Sequence, residues 1–323
     1  MQTLTRRSLL AGLATLPAAA QAQDAPLRAP LRIVFSFAAG GAGDAVARLL
    51  AEQLQARLGR PAIVENRTGA GGRIGAQAVK AAAPDGNTLL FAAAGQMVLQ
   101  PLTEASLGYD PVADFRPVTQ VLRFGQVLAV GPENPSRSAA DLVAWFRADP
   151  TRRSFGSPGI GLGAHFAGLE FGRLAGVPLE HVAYRGTAAA MPDLQTGRIG
   201  MFVASLGEFR EHHRAGRVRI LASTDAVRSA AMPEIPTLRE AGYDILAPGW
   251  FALYAPARTP DAVIARLAAV TDEAIAAGPL RDRIEARGFE PSGTGPAALA
   301  ALQRAEFAQW TAVVRASGFQ PAG

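Results

Sequence analysis

Apolar residues in the first third of the chain alternate between two spacings. Residues 31–35 form a short apolar run that is typical of a buried β-strand. Within residues 44–58, apolar side chains recur every four positions and would share one helix face: Val46, Leu50, Leu54 and Leu58. A strand, a helix, a turn and a strand are then predicted at residues 62–65, 74–83, 84–87 and 88–92. This order predicts an α/β fold with helices on the faces of a sheet.

The rest of the chain repeats this alternation. Short apolar runs predict strands at residues 128–131, 154–156, 182–184, 200–203 and 219–223, and residues 249–255 are apolar and aromatic. Helices are predicted at residues 139–147, 260–277 and 299–316. Thr259 is the expected N-cap of the second of these, with Pro260 in its first position.

Residues 1–22 have the pattern of an export signal rather than of a folded element. Arg6 and Arg7 precede an apolar run that is shorter than the ~20 residues of a membrane span. Ala20-Gln21-Ala22 then matches a small-x-small cleavage site. The paired arginines fit a twin-arginine signal and an ordinary secretory signal equally well. Either route would place the mature chain outside the cytoplasm.

Composition narrows the range of partners and chemistries. Hydrophobic residues make up 49% and charged residues 18% of the 323 positions, as in a globular protein. The net charge is +5, and the basic residues, all arginine except Lys80, are interspersed with acids. We therefore expect no nucleic-acid surface, which would need clustered basic residues. The absence of cysteine excludes disulfide bonds, cysteine-ligated zinc and thiol catalysis.

Glycine-rich turns follow predicted strands at residues 36–44, 68–72, 156–163 and 184–187. Glycine lets the backbone turn sharply and approach a ligand closely. The helix that follows offers unpaired N–H groups and a partial positive charge, so such turns bind anions. Two turns in each half of the chain would hold an anion from both sides of a cleft. A dinucleotide site is not predicted, because Gly41-x-Gly43 is followed by Val46 instead of glycine.

Residues with catalytic or metal-binding chemistry form no recognisable constellation. None of the four histidines belongs to a zinc or hydrolase motif. His165 begins a predicted helix beside the third glycine turn, where a ligand contact and a capping role are equally open. Asp44 fits a helix cap better than a ligand contact. We therefore expect no enzymatic activity, no metal and no cofactor.

Short motifs occur in order along nearly the whole mature chain. They include residues 37–41 with Asp44 and Arg48, then residues 64–72, 84–89, 184–187, 193–197, 233–237 and 288–291. Any one of them is weak alone. Together they resemble the tripartite tricarboxylate transporter substrate-binding family, the Bug-type periplasmic receptors.

The resemblance implies a type II periplasmic-binding fold, with two α/β domains joined by a hinge. The first domain would comprise residues 26–125 and 251–323, and the second residues 126–250. The resemblance also implies a periplasmic protein, expected to be a monomer. This protein would bind a small organic carboxylate and deliver it to the permease subunits of a tripartite transporter. A sensory protein that signals to a kinase would have the same fold and site. An exported α/β hydrolase is a weaker alternative, because no nucleophile or acid–base pair is evident.

The ligand is expected to contact the first, third and fourth glycine turns and a few residues beside them. The expected ligand-binding residues are Ser36, Phe37, Ala39, Gly40, Gly41, Asp44, Gln96, Ser157, Gly161, His165, Tyr184, Gly186, Thr187 and Ser205. Four of these, Ser36, Gly41, Ser157 and Thr187, should surround one interdomain cavity. The hydroxyl of Thr187, rather than the charge of Arg185, is expected to meet the carboxylate.

This chain departs from the family pattern where a ligand would bind. Ser36 stands at a position usually held by proline, and Gly43 at one where serine or threonine is common. Gln96-Met97 stands where the family has a hydroxyl residue and often a histidine. Gly163-Ala164 stands where the family has hydroxyl residues. Fewer hydroxyls favour a ligand less polar than a tricarboxylate, such as an aromatic or short aliphatic monocarboxylate.

Overall fold

A computed structural model describes residues 29–37, 39–184 and 186–319, so the expected export signal lies outside the described residues. The strands in these ranges are β1 (Leu31–Phe35), β2 (Ala62–Asn66), β3 (Thr88–Ala93), β4 (Phe115–Phe124), β5 (Gln126–Val130), β6 (Ser154–Ser157), β7 (Glu180–Ala183), β8 (Met201–Ser205), β9 (Arg219–Ser223), β10 (Gly249–Pro256) and β11 (Glu290–Pro291).

The α-helices in the same ranges are α1 (Ala42–Leu58), α2 (Arg73–Lys80), α3 (Gln100–Thr103), α4 (Ala139–Ala148), α5 (Gly163–Leu174), α6 (Thr187–Gln195), α7 (Leu206–Arg214), α8 (Asp261–Ala276), α9 (Gly278–Glu285) and α10 (Gly295–Ala316). A 3₁₀ turn at Ala70–Gly72 precedes α2, and a π-helical turn at Gly95–Leu99 precedes α3. None of the described helices is long and apolar enough to cross a membrane.

The strands form two separate sheets. The first has six strands in the order β11-β4-β10-β3-β1-β2, and the second has five in the order β7-β6-β8-β5-β9. β1 is parallel to β2 and β3, and β6 is parallel to β7 and β8. Each sheet also contains antiparallel pairs, β10 with β3 and β5 with β8. The expected α/β class is therefore present in both halves of the chain.

The chain passes between the sheets twice. It leaves the first sheet at Phe124, passes through Gly125 and enters β5 at Gln126. It returns to the first sheet at Gly249, the first residue of β10. The two passages touch, because Gly249 pairs with Phe124, and Asp225 of the segment after β9 lies against Gly125. Closely packed passages of this kind suit a hinge.

Apolar faces explain where the helices pack. α1 buries five residues on one face, Val46, Ala47, Leu50, Ala51 and Leu54, and ends at Gly59, which has the left-handed φ of 65°. This face packs with β1 and with α8 in a core on one side of the first sheet. A second core lies beneath α10, where Trp310 contacts Phe166 of α5 with ring centroids 6.0 Å apart.

Two local expectations need correction. Pro260, not Thr259, is the N-cap of α8, and the Thr259 hydroxyl donates to the carbonyl of Pro256 at 2.8 Å. The sequence pattern also missed β4, whose interior contains Pro117. Proline is unusual within a strand, but β4 pairs with β10 through irregular register shifts.

Candidate ligand-binding site

The glycine turns lie at the carboxyl edges of the parallel strands. The first follows β1 and the second β2 in the first sheet, while the third follows β6 and the fourth β7 in the second sheet. Ligands of α/β proteins bind at this edge, where the N-termini of the following helices point. The site is therefore built from α1 and the π-helical turn in one half and from α5, α6 and α7 in the other.

The Asp44 carboxylate holds the first turn in place. It accepts hydrogen bonds from the Gly40 N–H at 3.0 Å, from Arg48 at 3.0 and 3.1 Å, and from the Asn66 amide at 2.8 Å. Burial alone would raise the pKa of Asp44, but the hydrogen bonds from Arg48, Gly40 and Asn66 outweigh it, so the pKa is lowered. Asp44 thus fixes the turn from within, and its two oxygens are already occupied.

The tip of the first turn is open to solvent. Ala39, Gly40 and Gly41 are exposed, and no atom lies within 4 Å of the place where a side chain on Gly40 or Gly41 would begin. Gly40 has a left-handed φ of 88°, and Gly41 is the N-cap of α1 without a capping side chain. The first N–H groups of α1, at and after Gly41, are therefore available to an anion, whereas the Gly40 N–H is donated to Asp44.

A row of phenylalanine rings lies beneath the first turn. Successive ring centroids are 5.4 to 5.8 Å apart from Phe37 through Phe35, Phe251 and Phe124 to Phe289. We call these five residues the aromatic row. Phe37, Phe124 and Phe251 are only partly buried, so the row offers apolar surface at the carboxyl edge of the first sheet. Sequence reasoning found only Phe37, because Phe124 and Phe251 carry no motif.

The aromatic row also explains why glycine occupies position 43. A side chain there would begin 2.8 Å from Cζ of Phe35 and 3.0 Å from Cζ of Phe251. Serine or threonine, common in the family at this position, would push the rings away. The phenylalanine rings therefore leave no room for a side chain at position 43, and the site has apolar ring surface where the family commonly has a hydroxyl.

Ser36 and Gln96 lie behind the second glycine turn. Gln96 is 1% exposed, and its amide donates to the Gly72 carbonyl at 3.0 Å and accepts from the Ala93 N–H at 3.1 Å. Ser36 is also 1% exposed, and its hydroxyl packs against Gly75 without a hydrogen-bond partner among the described residues. Both side chains brace the turn from within.

Two adjacent imidazoles support the third turn. The rings of His165 and His181 lie 4.0 Å apart. His165 Nδ1 accepts the Gly161 N–H at 3.2 Å, and His181 Nε2 lies 2.8 Å from the Ser157 hydroxyl, which donates to the Gly159 carbonyl. Burial lowers the pKa of each imidazole to about 4, and for His165 the neighbouring His181 adds to the effect. Both rings are therefore neutral at pH 7, and His165 serves to position the turn.

The third turn also meets the first half of the molecule. Gly161 has a left-handed φ of 74°, and a side chain there would begin 3.0 Å from the Thr103 hydroxyl of α3. Leu162 lies against Gly95 of the π-helical turn. This contact closes one side of the space between the two sheets.

The fourth turn lies beside the third. The Gly186 N–H donates to the Pro158 carbonyl at 3.3 Å. The Tyr184 hydroxyl donates to Asp193 at 2.8 Å, and burial together with this bond raises the pKa of Tyr184 to about 12. Arg185 lies outside the described residues. Ser157, Tyr184, Gly186 and Thr187 are thus brought together at the edge of the second sheet.

Sequence reasoning missed one acidic residue at this edge. Glu208 is the third residue of α7, and the Thr187 hydroxyl donates to its carboxylate at 2.6 Å. Ser205 is the N-cap of the same helix. Glu208 is exposed to solvent. Desolvation of its carboxylate by the surrounding protein nevertheless raises the pKa of Glu208, and this outweighs the lowering effect of the hydrogen bonds from Thr187 and Ser205. The only available signal was its position three residues after Ser205, in the first turn of a predicted strand-to-helix connection.

Two cavities lie elsewhere on the second half of the chain. One, of about 460 Å³, is lined by residues around the N-terminus of α4, including Arg137 and Arg219. The other, of about 280 Å³, lies near Trp145 and Gly197. Neither is lined by an expected ligand-binding residue. Within the described ranges, no three histidine or acidic side chains are grouped as metal ligands would be.

Comparison with known proteins identifies relatives of this arrangement. A model of the tripartite tricarboxylate transporter family receptor matches residues 46–319. A UPF0065 protein from the tcbD-tcbE intergenic region of Pseudomonas sp. (strain P51) is 34% identical and covers 97% of this chain and 95% of its own. The periplasmic binding protein BugD superposes with a TM-score of 0.82 at 30% identity, over 92% of this chain and 100% of BugD.

A further solved structure, Rpa4515 of R. palustris with adipate, has a TM-score of 0.86 at 30% identity and covers 93% of this chain and 100% of its own. These likenesses confirm the expected two-domain periplasmic-binding fold. They also identify a receptor rather than an enzyme, because the matched family consists of transporter receptors. With the match spanning residues 46–319, the chain belongs to the tripartite tricarboxylate transporter receptor family.

Proposed function

We propose that this protein is a periplasmic receptor that captures a small organic carboxylate between its two domains and delivers it to the membrane subunits of a tripartite transporter. The domains would be residues 26–125 with 251–323, and residues 126–250, with the hinge at the two passages beside Gly125. The open first glycine turn, in a chain related to a protein solved with adipate, is the observation that carries this proposal.

The carboxylate would be held mainly by backbone N–H groups. Gly41 and the first residues of α1 offer such groups, where the helix dipole favours an anion, while the Gly40 N–H stays bonded to Asp44. The nearest arginine, Arg48, already bonds Asp44 and Asn66, so its charge is engaged in holding the turn. Each N–H bond to a charged acceptor contributes about 1.5–3 kcal/mol. No free basic side chain is needed for binding.

The carbon skeleton of the ligand would lie over the aromatic row. Phe37, Phe124 and Phe251 present ring surface beside the first turn. Burial of each ligand methylene there contributes about 0.8 kcal/mol. This favours a carboxylate with an apolar segment over a tricarboxylate, in line with the reduced number of hydroxyls at the site.

A thermal-shift and calorimetry screen of carboxylates tests the proposal. The panel contains straight-chain monocarboxylates and dicarboxylates, benzoate, citrate and, as a control, the matching primary amides. A true ligand at 100 times its Kd should stabilise the fold by about 2.7 kcal/mol. It should also reduce the radius of gyration in small-angle scattering as the domains close. Stabilisation by the amides alone, or by none of the panel, would contradict carboxylate capture.

The cellular proposal has a separate test. Expressed with residues 1–22, the protein should be recovered from the periplasm with an N-terminus near Gln23, because Ala20-Gln21-Ala22 matches a cleavage site. The processed protein should then co-purify with the permease subunits of a tripartite transporter when ligand is present. Recovery from the cytoplasm with Met1 retained would contradict the periplasmic assignment.

A further inference from the structure

The second sheet already has a carboxylate at its ligand-facing edge. Glu208 lies in the first turn of α7 and accepts the Thr187 hydroxyl at 2.6 Å. Thr187 begins α6, so the carboxylate lies beside the N-termini of two helices, where an anion is favoured. The protein's own acid thus occupies the place that the fourth glycine turn would otherwise offer to the ligand.

This acid is accessible while its hydroxyl partner is not. Thr187 is 6% exposed, whereas the Glu208 side chain is exposed to solvent. The Thr187 hydroxyl has a single proton, and it is donated to Glu208, so it is not available to a second carboxylate. A ligand group that approaches this edge meets an acceptor rather than a donor.

The first turn of α7, which contains Glu208, lies at the far end of the aromatic row. A side chain on the preceding residue, Gly207, would begin 3.2 Å from the ring of Phe289. Phe289 is one end of the row, and Phe37 in the first glycine turn is the other. A ligand whose carboxylate lies in the first turn and whose chain follows the row would direct its other end toward Glu208.

We propose that Glu208 is a specificity-determining residue that accepts a hydrogen bond from the distal end of the ligand. The preferred ligand is then a carboxylate with a donor group, an ammonium or a hydroxyl, at its other end, and a dicarboxylate is disfavoured by the facing like charge. This inference rests on the proposed carboxylate-capture function. It assigns opposite chemistries to the two domains, with donors on the first and an acceptor on the second.

Calorimetry with matched ligands tests the inference. The probes are straight-chain carboxylates of four, six and eight carbons that carry a methyl, carboxylate, hydroxyl or ammonium group at the far end. The protein should bind the ammonium or hydroxyl form at least about tenfold more tightly than the dicarboxylate of the same length. In Glu208→Gln this preference should fall by about tenfold or more. The ammonium and hydroxyl probes distinguish an ion pair from a neutral hydrogen bond.

The matched control is Glu211→Gln, one turn further along α7. Glu211 is exposed and lies 3.3 Å from Arg214, away from Thr187, so its replacement should leave the preference unchanged. Should Glu208→Gln fail to fold, Glu208→Asp, which withdraws the carboxylate by one methylene, should reduce the preference in the same direction.

The outcomes separate the two proposals. Tight binding of a dicarboxylate by the unaltered protein, with a preference that Glu208→Gln does not change, overturns the role of Glu208 and leaves carboxylate capture standing. Binding of no carboxylate by the unaltered protein or by either glutamine variant overturns the proposed function and this inference with it.

Discussion

At the scale of single residues, side chains expected to touch the ligand are instead occupied in shaping the turns. Asp44 bonds Gly40, and Gln96 bonds Gly72. The receptor thus uses polar side chains to hold backbone N–H groups in position. This division of labour is physically sensible, because an anion site made of backbone groups works only when the backbone is rigid.

The first prediction concerns Asp44. Asp44→Asn would leave the Gly40 N–H and the Arg48 guanidinium with a poorer acceptor, since one carboxylate oxygen becomes a donor. We expect the free energy of unfolding to fall by about 1–3 kcal/mol and carboxylate affinity to weaken as the turn loosens. Urea unfolding and calorimetry measure both. Glu52→Gln, an exposed acid of α1 paired with Arg283 at 3.3 Å, is the control and should change stability by less than about 1 kcal/mol.

The second prediction concerns Glu306, a buried acid of α10. It accepts the Trp250 indole N–H at 2.8 Å, but its other oxygen has no partner among the described residues. Burial raises the pKa of Glu306 to about 7, against the lowering effect of the Trp250 bond. The folded state therefore binds its proton more tightly than the unfolded state, and stability falls as pH rises from 4.5 to about 7.

Glu306→Gln keeps an acceptor for Trp250 and removes the buried charge. It should raise the free energy of unfolding at pH 8 by up to about 3 kcal/mol, because each unit by which the folded pKa exceeds the unfolded pKa costs about 1.4 kcal/mol above both values. The gain should shrink toward pH 4, where the carboxyl is protonated in both states. A gain independent of pH would show that packing, not ionisation, is responsible.

At the scale of elements, the adjacent imidazoles of His165 and His181 tie α5 to β7 beneath the third turn. His165 belongs to α5 and His181 to β7. The hydrogen bond from the Gly161 N–H requires His165 Nδ1 to be unprotonated. The geometry of the third turn therefore depends on both rings staying neutral.

The third prediction follows from the depressed pKa values of this pair. Because the folded pKa is about 4 and the unfolded value is 6.5, the unfolded state binds more protons, and stability is lost as pH falls from 6.5 toward 4. In His165→Gln, the slope of the unfolding free energy against pH in this window should fall by the equivalent of about one proton taken up on unfolding. Chemical denaturation at several pH values measures it. An unchanged slope in His165→Gln would contradict the assignment.

At the scale of the whole molecule, the two domains share a hydrophobic core and meet at several elements. Gly249 pairs with Phe124 where the passages meet, Asp225 lies against Gly125, and α10 reaches from the first domain to Phe166 in the second. Burial raises the pKa of Asp225 to about 6, with the nearby charge of Glu290 as a further cause. The proposed hinge would rotate at the two passages and keep each sheet intact.

The fourth prediction concerns Gly125. In Gly125→Ala the new methyl group would displace the Asp225 carboxylate, which should cost about 1–3 kcal/mol of unfolding free energy. It should also change the radius of gyration of the ligand-free protein, because the first passage is pushed away from Asp225. Gly278→Ala is the control, since the nearest atom to its new methyl group is 3.9 Å away. Equal effects in the two variants would argue against a hinge at Gly125.

The sequence by itself determined the α/β class, most strands and helices, the four glycine turns and the family. These features depend on local patterns: apolar periodicity, as along α1, and glycine where φ is positive, as at Gly40, Gly161 and Gly186. Such signals lie within a few neighbouring residues and need no knowledge of the fold.

Only the tertiary structure decided which residues face one another. Phe124, Phe251 and Glu208 belong to no motif, and they acquire a place in the site only because distant strands end at the same edge. The same holds for His181, which lies beside His165 through the pairing of β6 with β7. Contacts between residues far apart in the chain depend on strand order and packing, which no local pattern of apolar and polar positions encodes.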